Sequence, residues 1–166
     1  LNQAEDSGGW VAPPGHGSRG APLVAAGSIP CTSAGFAGLS AEILRGGKAL
    51  RFRAHGASMV PLVRDGDVLL VQPVEPAVLR VGDVVLCGAE PGRIVVHRVI
   101  RCVAGPEGRR FTVQGDAVAR PDGTVPAAQI YGRVAAIERD GAQVDMGAPA
   151  MHALGWMAAL RSRWRL

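Results

Sequence analysis

Three short segments carry residue types that together could break an acyl bond. They are Gly56-Ala57-Ser58-Met59-Val60-Pro61, Val96-His97-Arg98-Val99-Ile100, and the run from Gly115-Asp116 to Pro121-Asp122. A serine hydroxyl is too weakly acidic to attack alone and needs a neighbouring base to take its proton. Imidazole serves because its pKa lies near neutrality. A carboxylate on the far ring nitrogen fixes the tautomer and stabilises the imidazolium that forms. Taken singly, each residue also has a plain reading. Ser58 fits a turn serine bonded to its own backbone, His97 a core histidine with Val95 and Val99 on its face, and Asp116 and Asp122 fit Asx-turn caps.

The elements that must position these residues are mostly strands. From Ala49 onward, short β-branched runs alternate with turn dipeptides. The pattern predicts strands at Leu50–Ala54, Val68–Pro73, Asp83–Cys87, Ile94–Val103, Arg110–Gln114, Ile130–Glu138 and Gln143–Met146. Their separators include Asp65-Gly66, Val81-Gly82, Pro91-Gly92, Pro121-Asp122-Gly123 and Asp140-Gly141. Strands at this spacing without intervening helices imply a mainly β domain of coiled antiparallel sheet over residues 38–147. Residues 1–37, rich in Gly, Pro, Ser and Ala, read as a flexible arm, and Leu39 to Leu44 as a short helix ending at Gly46-Gly47. Residues 148–166 read as a short C-terminal helix. Its broken apolar stripe (Met151, Leu154, Trp156, Met157, Leu160, Trp164) precedes Arg161, Arg163 and Arg165 in part and overlaps them in part. Such a helix can pack on the sheet or lie at a membrane surface as a partner contact. No internal repeat is apparent.

Composition narrows the function classes. The chain of 166 residues is 48% hydrophobic, which argues against disorder throughout. Its net charge of +4 comes from scattered arginines, and aromatics make up only 4%, so neither a basic track nor a stacking platform for nucleic acid is visible. Cys31, Cys87 and Cys102 lack metal-ligand spacing, and Cys87 and Cys102 read as buried thiols. No cofactor or metal site stands out. No stretch supplies the roughly 20 apolar residues of a membrane span, so the sequence suits a soluble or peripheral protein. Opening on Leu1, it leaves an upstream segment or anchor open. Lys48 is the only lysine; every other member of the 18 basic residues is an arginine. A Ser–Lys dyad would need a lysine downstream of Ser58, and there is none.

The order and spacing of the three segments, from about Arg51 to Arg133, resemble the catalytic domain of the type I signal peptidase family. The likeness is to the branch typical of the endoplasmic reticulum and archaea, with histidine where the bacterial branch has lysine. Gly56 to Pro61 resembles the nucleophile box, Gly66-Asp67 and Gly82-Asp83 the paired glycine-aspartate elements, His97 to Ile100 the base box, and Gly115-Asp116 through Asp122 the acidic box. The resemblance implies the coiled antiparallel sheets of that catalytic domain and a serine endopeptidase with Ser58 as nucleophile and His97 as general base. Asp122 would orient His97, with Asp116 as a second carboxylate that organises the loop or substitutes for it. It further implies a peptide or protein substrate, extended and carrying small residues before the cut. This chain departs from the pattern at Gly56, where relatives often carry a hydroxyl for the oxyanion hole, and the anchor the family leads one to expect is not seen within these residues. A peptide-binding or scaffold module without turnover is the alternative. A self-cleaving regulator, with sites such as Ala25-Ala26-Gly27, is a third reading that lacks a lysine base.

Overall fold

A computed structural model describes residues 33–90 and 93–163. The expected arm over residues 1–37 lies outside them except for its last five residues, and those are helical: α1 spans Ser33–Arg45. The helix begins earlier than its apolar pattern suggested because Phe36, ahead of that pattern, packs edge-on against Phe52 with ring centroids 5.2 Å apart. It ends where the glycines demand. Lys48 N–H bonds Ile43 O (3.2 Å), Gly47 N–H bonds Leu44 O (3.0 Å), and Gly47 takes φ +78°. This is the paired-bond Schellman stop that a left-handed glycine allows.

Among the described residues eight strands follow: β1 (Leu50–Arg53), β2 (Val68–Gln72), β3 (Val84–Glu90), β4 (Arg93–Gly105), β5 (Gly108–Gln114), β6 (Gly123–Pro126), β7 (Ile130–Arg139) and β8 (Ala142–Asp145). They form one antiparallel sheet in the order β1-β2-β7-β3-β4-β5-β6, curled into a half-barrel, so the protein is mainly β. The long β7 makes this possible. β2 runs along one edge, while β3 and β8 share the other, β3 beside its first half and β8 beside its second. Register shifts between Leu70 and Val71, Leu86 and Cys87, and Val99 and Arg101 add the local twist that bends a sheet. At Gly132 a Cβ would stand 2.6 Å from Gln72 O, so β7 can reach β2 there only through a glycine.

Burial explains the strand pattern. β3 is covered on both faces: Val84 and Leu86 enter a core with Leu44, Leu50, Leu69, Val71, Val134 and Ile137, while Val85 and Cys87 enter a second with Leu79, Val99, Phe111, Val113, Val125 and Ile130. A strand buried twice reads as a continuous apolar run rather than an alternating one. β6 was not expected from sequence. It ends in Pro126 and sits at the sheet edge, where a missing N–H is tolerated.

β2 and β3 are each entered through the same turn. In Arg64-Asp65-Gly66-Asp67 and in Arg80-Val81-Gly82-Asp83 the aspartate N–H bonds the arginine carbonyl (3.2 Å in both). The aspartate carboxylate then accepts the arginine backbone N–H, at 2.7 Å and 2.8 Å. The glycines take φ +89° and +103°, as the third position of such a turn requires. The paired Gly66-Asp67 and Gly82-Asp83 elements of the sequence are thus two copies of one turn.

The last element, α2 (Pro149–Arg163), opens on a proline suited to the first helical turn. It packs against β4, with Gly155 and Ala159 buried and Leu154, Trp156 and Met157 exposed. Among the described residues, no helix is long and apolar enough to cross a membrane.

Candidate functional site

Ser58 lies on the loop between β1 and β2. Met59 and Val63 anchor that loop by burial in the first core, and Val63 N–H bonds Met59 O at 2.9 Å. Ser58 itself is turned toward β4, and its Oγ lies 3.0 Å from His97 Nε2. His97 sits mid-strand opposite Val85 and is 4% exposed. Its other ring nitrogen, Nδ1, pairs with Asp122 Oδ2. Asp122 is held in place by its own N–H, which bonds Val113 O at 3.0 Å. Burial depresses the pKa of His97, against the opposing pull of the Asp122 carboxylate. The imidazole is thereby kept neutral below its ordinary 6.5. A carboxylate beside Nδ1 favours the tautomer with its proton on that nitrogen, and that tautomer leaves the Nε2 lone pair to the Ser58 hydroxyl.

Asp116 is placed elsewhere. It receives Arg98 through two bonds, Nε to Oδ1 at 2.7 Å and Nη2 to Oδ2 at 2.6 Å. Arg98 also donates Nη1 to Gly82 O at 2.7 Å and is 4% exposed. Consecutive residues on a strand point to opposite faces, so His97 and Arg98 divide the two aspartates between them. Of the four residues singled out from sequence, three meet around the imidazole, and Asp116 closes a buried ion pair beside it. It orders the loop and does not stand in for Asp122 behind the ring.

One loop, residues 115–122, ties the arrangement together. Ala117 N–H bonds Ser58 O at 2.9 Å, and Val118 N–H bonds Gly115 O at 3.0 Å. The buried Gln114 donates Nε2 to Val118 O at 2.6 Å. Gly115 must be a glycine, because a Cβ would come within 2.6 Å of Ser58 O and 3.1 Å of His97 Nε2. Sequence reasoning assigned no role to Arg98, Gln114 or the missing Cβ of Gly115. The available signal was adjacency: Arg98 follows the histidine, and Gly115 precedes the first aspartate.

A groove apart from these residues is lined by the first Gly-Asp turn itself. It has a volume of about 800 Å³ and is lined by Arg51, Arg53, Arg64 and Arg139 among others. Arg51 pairs with Glu138, Arg139 with Asp67, and Arg53 bonds Gly66 O, so its charge is largely committed internally. Cys87 is deeply buried, with its thiol pushed up to about 12 by desolvation, and is chemically quiet. Among the described residues no group of His, Cys, Asp and Glu side chains could hold a metal ion. No protein-family model and no curated protein sequence matches the chain.

Proposed function

We propose that the protein is a serine endopeptidase resembling type I signal peptidase, on a sheet of that catalytic-domain type, which cleaves an extended peptide after small residues by acyl transfer through Ser58. One observation carries the reading: Ser58 Oγ stands 3.0 Å from His97 Nε2 while an aspartate faces Nδ1 of the same buried ring. Those are the contacts a hydroxyl needs to become a nucleophile at neutral pH.

In the first step His97 Nε2 takes the Ser58 proton as Oγ attacks the substrate carbonyl, and Asp122 stabilises the imidazolium. The Ser58 main-chain N–H is the donor on offer for the oxyanion. Collapse of the tetrahedral intermediate returns the proton from Nε2 to the leaving amine and leaves an acyl-serine. Water then attacks the ester, with His97 again as base, and releases the acid. Gly56 supplies no side-chain donor, and losing one such donor costs about 10²–10³ in rate, so turnover is expected to be slow.

Labelling with a serine-directed phosphonate, followed by mapping of the modified residue, tests this reading. Modification at Ser58 that disappears in Ser58→Ala and His97→Ala is the expected result. An unmodified Ser58, with both variants folded and indistinguishable from wild type, would leave the peptide-binding module as the better account.

A further inference from the structure

The two Gly-Asp turns share every backbone contact yet differ at one position: Asp65 in the first is Val81 in the second. Val81 demonstrates that the turn closes without a carboxylate there. The side chain of Asp65 is used for something else. Its Oδ1 accepts the Gly56 N–H at 2.8 Å and lies 3.5 Å from His55 Nδ1. Gly56 precedes Ser58 by two residues and takes φ +102°, a conformation that side-chain-bearing residues rarely adopt.

The base from which Asp65 reaches is firm. Asp67, in the same turn, lies in the fork of Arg139, at 2.8 Å and 2.6 Å. Gly66 N–H bonds Ala54 O at 2.9 Å, and Ala54 N–H bonds Asp67 O at 2.7 Å. The nucleophile loop is therefore gripped at three points: at Gly56 by Asp65, at Met59 and Val63 by the core, and at Ser58 O by Ala117.

We propose that Asp65 is a positioning residue for the nucleophile. By holding the Gly56 N–H it sets the bend that aims Ser58 Oγ at His97, and it withdraws the Gly56 N–H from the oxyanion donors. Ser58 N–H is left to meet the developing charge. The inference rests on the serine-peptidase reading, and its test separates the two.

The measurement is the rate at which a fluorophosphonate modifies Ser58 in the full chain. Asp65→Ala should slow labelling about tenfold, the loss equivalent to one misplaced hydrogen-bonded contact in the transition state. Asp65→Asn keeps a carbonyl acceptor and should stay within about threefold of wild type. Thermal unfolding of both variants, followed in parallel, shows that each is folded at the labelling temperature. Labelling of Asp65→Ala at the wild-type rate, or of Asp65→Asn as slowly as Asp65→Ala, would overturn the assignment while leaving the peptidase reading intact. A wild-type chain unmodified at Ser58 would remove both.

Discussion

His97 and Arg98 are neighbours on β4, and each faces an aspartate from the same loop, yet the two sides of the strand are built for different ends. On the His97 side the partners form an open line: Ser58 Oγ, the imidazole, then Asp122, which is 28% exposed. On the Arg98 side the charge is closed off. Both carboxylate oxygens of Asp116 and the Gly82 carbonyl take up guanidinium donors in a site where Arg98 is 4% and Asp116 12% exposed. A group that must move a proton needs a partner that polarises it and a free lone pair. A group that must hold a loop needs every donor satisfied. Each side is also sealed by a glycine. Gly115 meets Ser58 O and His97, and Gly155 of α2 meets Gly82 O and Arg98 Nη1, where a Cβ would stand 2.7 Å and 2.9 Å away.

The sharpest way to break this contrast is to remove a member of the Ser58–His97–Asp122 line. Ser58→Ala and His97→Ala should each lower cleavage of an Ala-x-Ala peptide by about 10⁴–10⁶-fold. Asp122→Asn should cost about 10⁴-fold, through loss of the tautomer. Circular dichroism and thermal melting should show Ser58→Ala and Asp122→Asn folded, and peptide turnover followed by chromatography gives the rates.

The Arg98 side should fail in stability. Asp116→Ala strands a buried guanidinium and should destabilise the domain by about 3–5 kcal/mol in urea unfolding. Asp122→Asn should cost less than about 1.5 kcal/mol in the same assay. Equal stability losses for the two variants would erase the distinction between the aspartates.

A smaller effect separates the two glycines. Gly115→Ala and Gly155→Ala should each cost about 1–3 kcal/mol by overpacking. Only Gly115→Ala should also depress Ser58 labelling in the folded fraction, because its Cβ displaces the backbone of Ser58 itself.

The mildest prediction concerns pH. Protonated His97 cannot accept the serine proton, and burial holds its pKa below 6.5. The acid limb of the labelling rate should therefore fall below pH 6.5, and a limb centred above that value would contradict it. The stability effect has the same direction. The unfolded chain takes the proton at an ordinary value near 6.5 and the folded one only below it. The contribution is thus complete above 6.5 and is lost as pH falls through the folded value.

Much of the scaffold could be read in advance because it rests on local physics. β-branched runs between glycine turns became β2, β3, β4, β5 and β7, and Gly46-Gly47 ended α1 by a motif that glycine alone makes easy. β6 escaped because an edge strand carrying Pro126 looks like a loop. The start of α1 escaped because the stacking of Phe36 on Phe52 is a long-range contact that helical periodicity does not encode. The pairing of Gly66-Asp67 with Gly82-Asp83 was legible in the sequence, whereas the hydrogen bonds through which both copies close were not.

At the site, residue types and order identified a serine, a histidine and two aspartates, and the lone Lys48, upstream of Ser58, removed a lysine base from consideration. Which aspartate meets the imidazole was decided by tertiary structure. Asp116 and Asp122 lie in one short loop, at a spacing that permits either partner. The choice follows from the pleat of β4, which sends His97 and Arg98 to opposite faces, and from the bond of Asp122 N–H to Val113 O, which pins that carboxylate behind the ring. Chemical identity is a property of the residues in order, whereas pairing depends on where the curled sheet brings distant segments within 3 Å of one another.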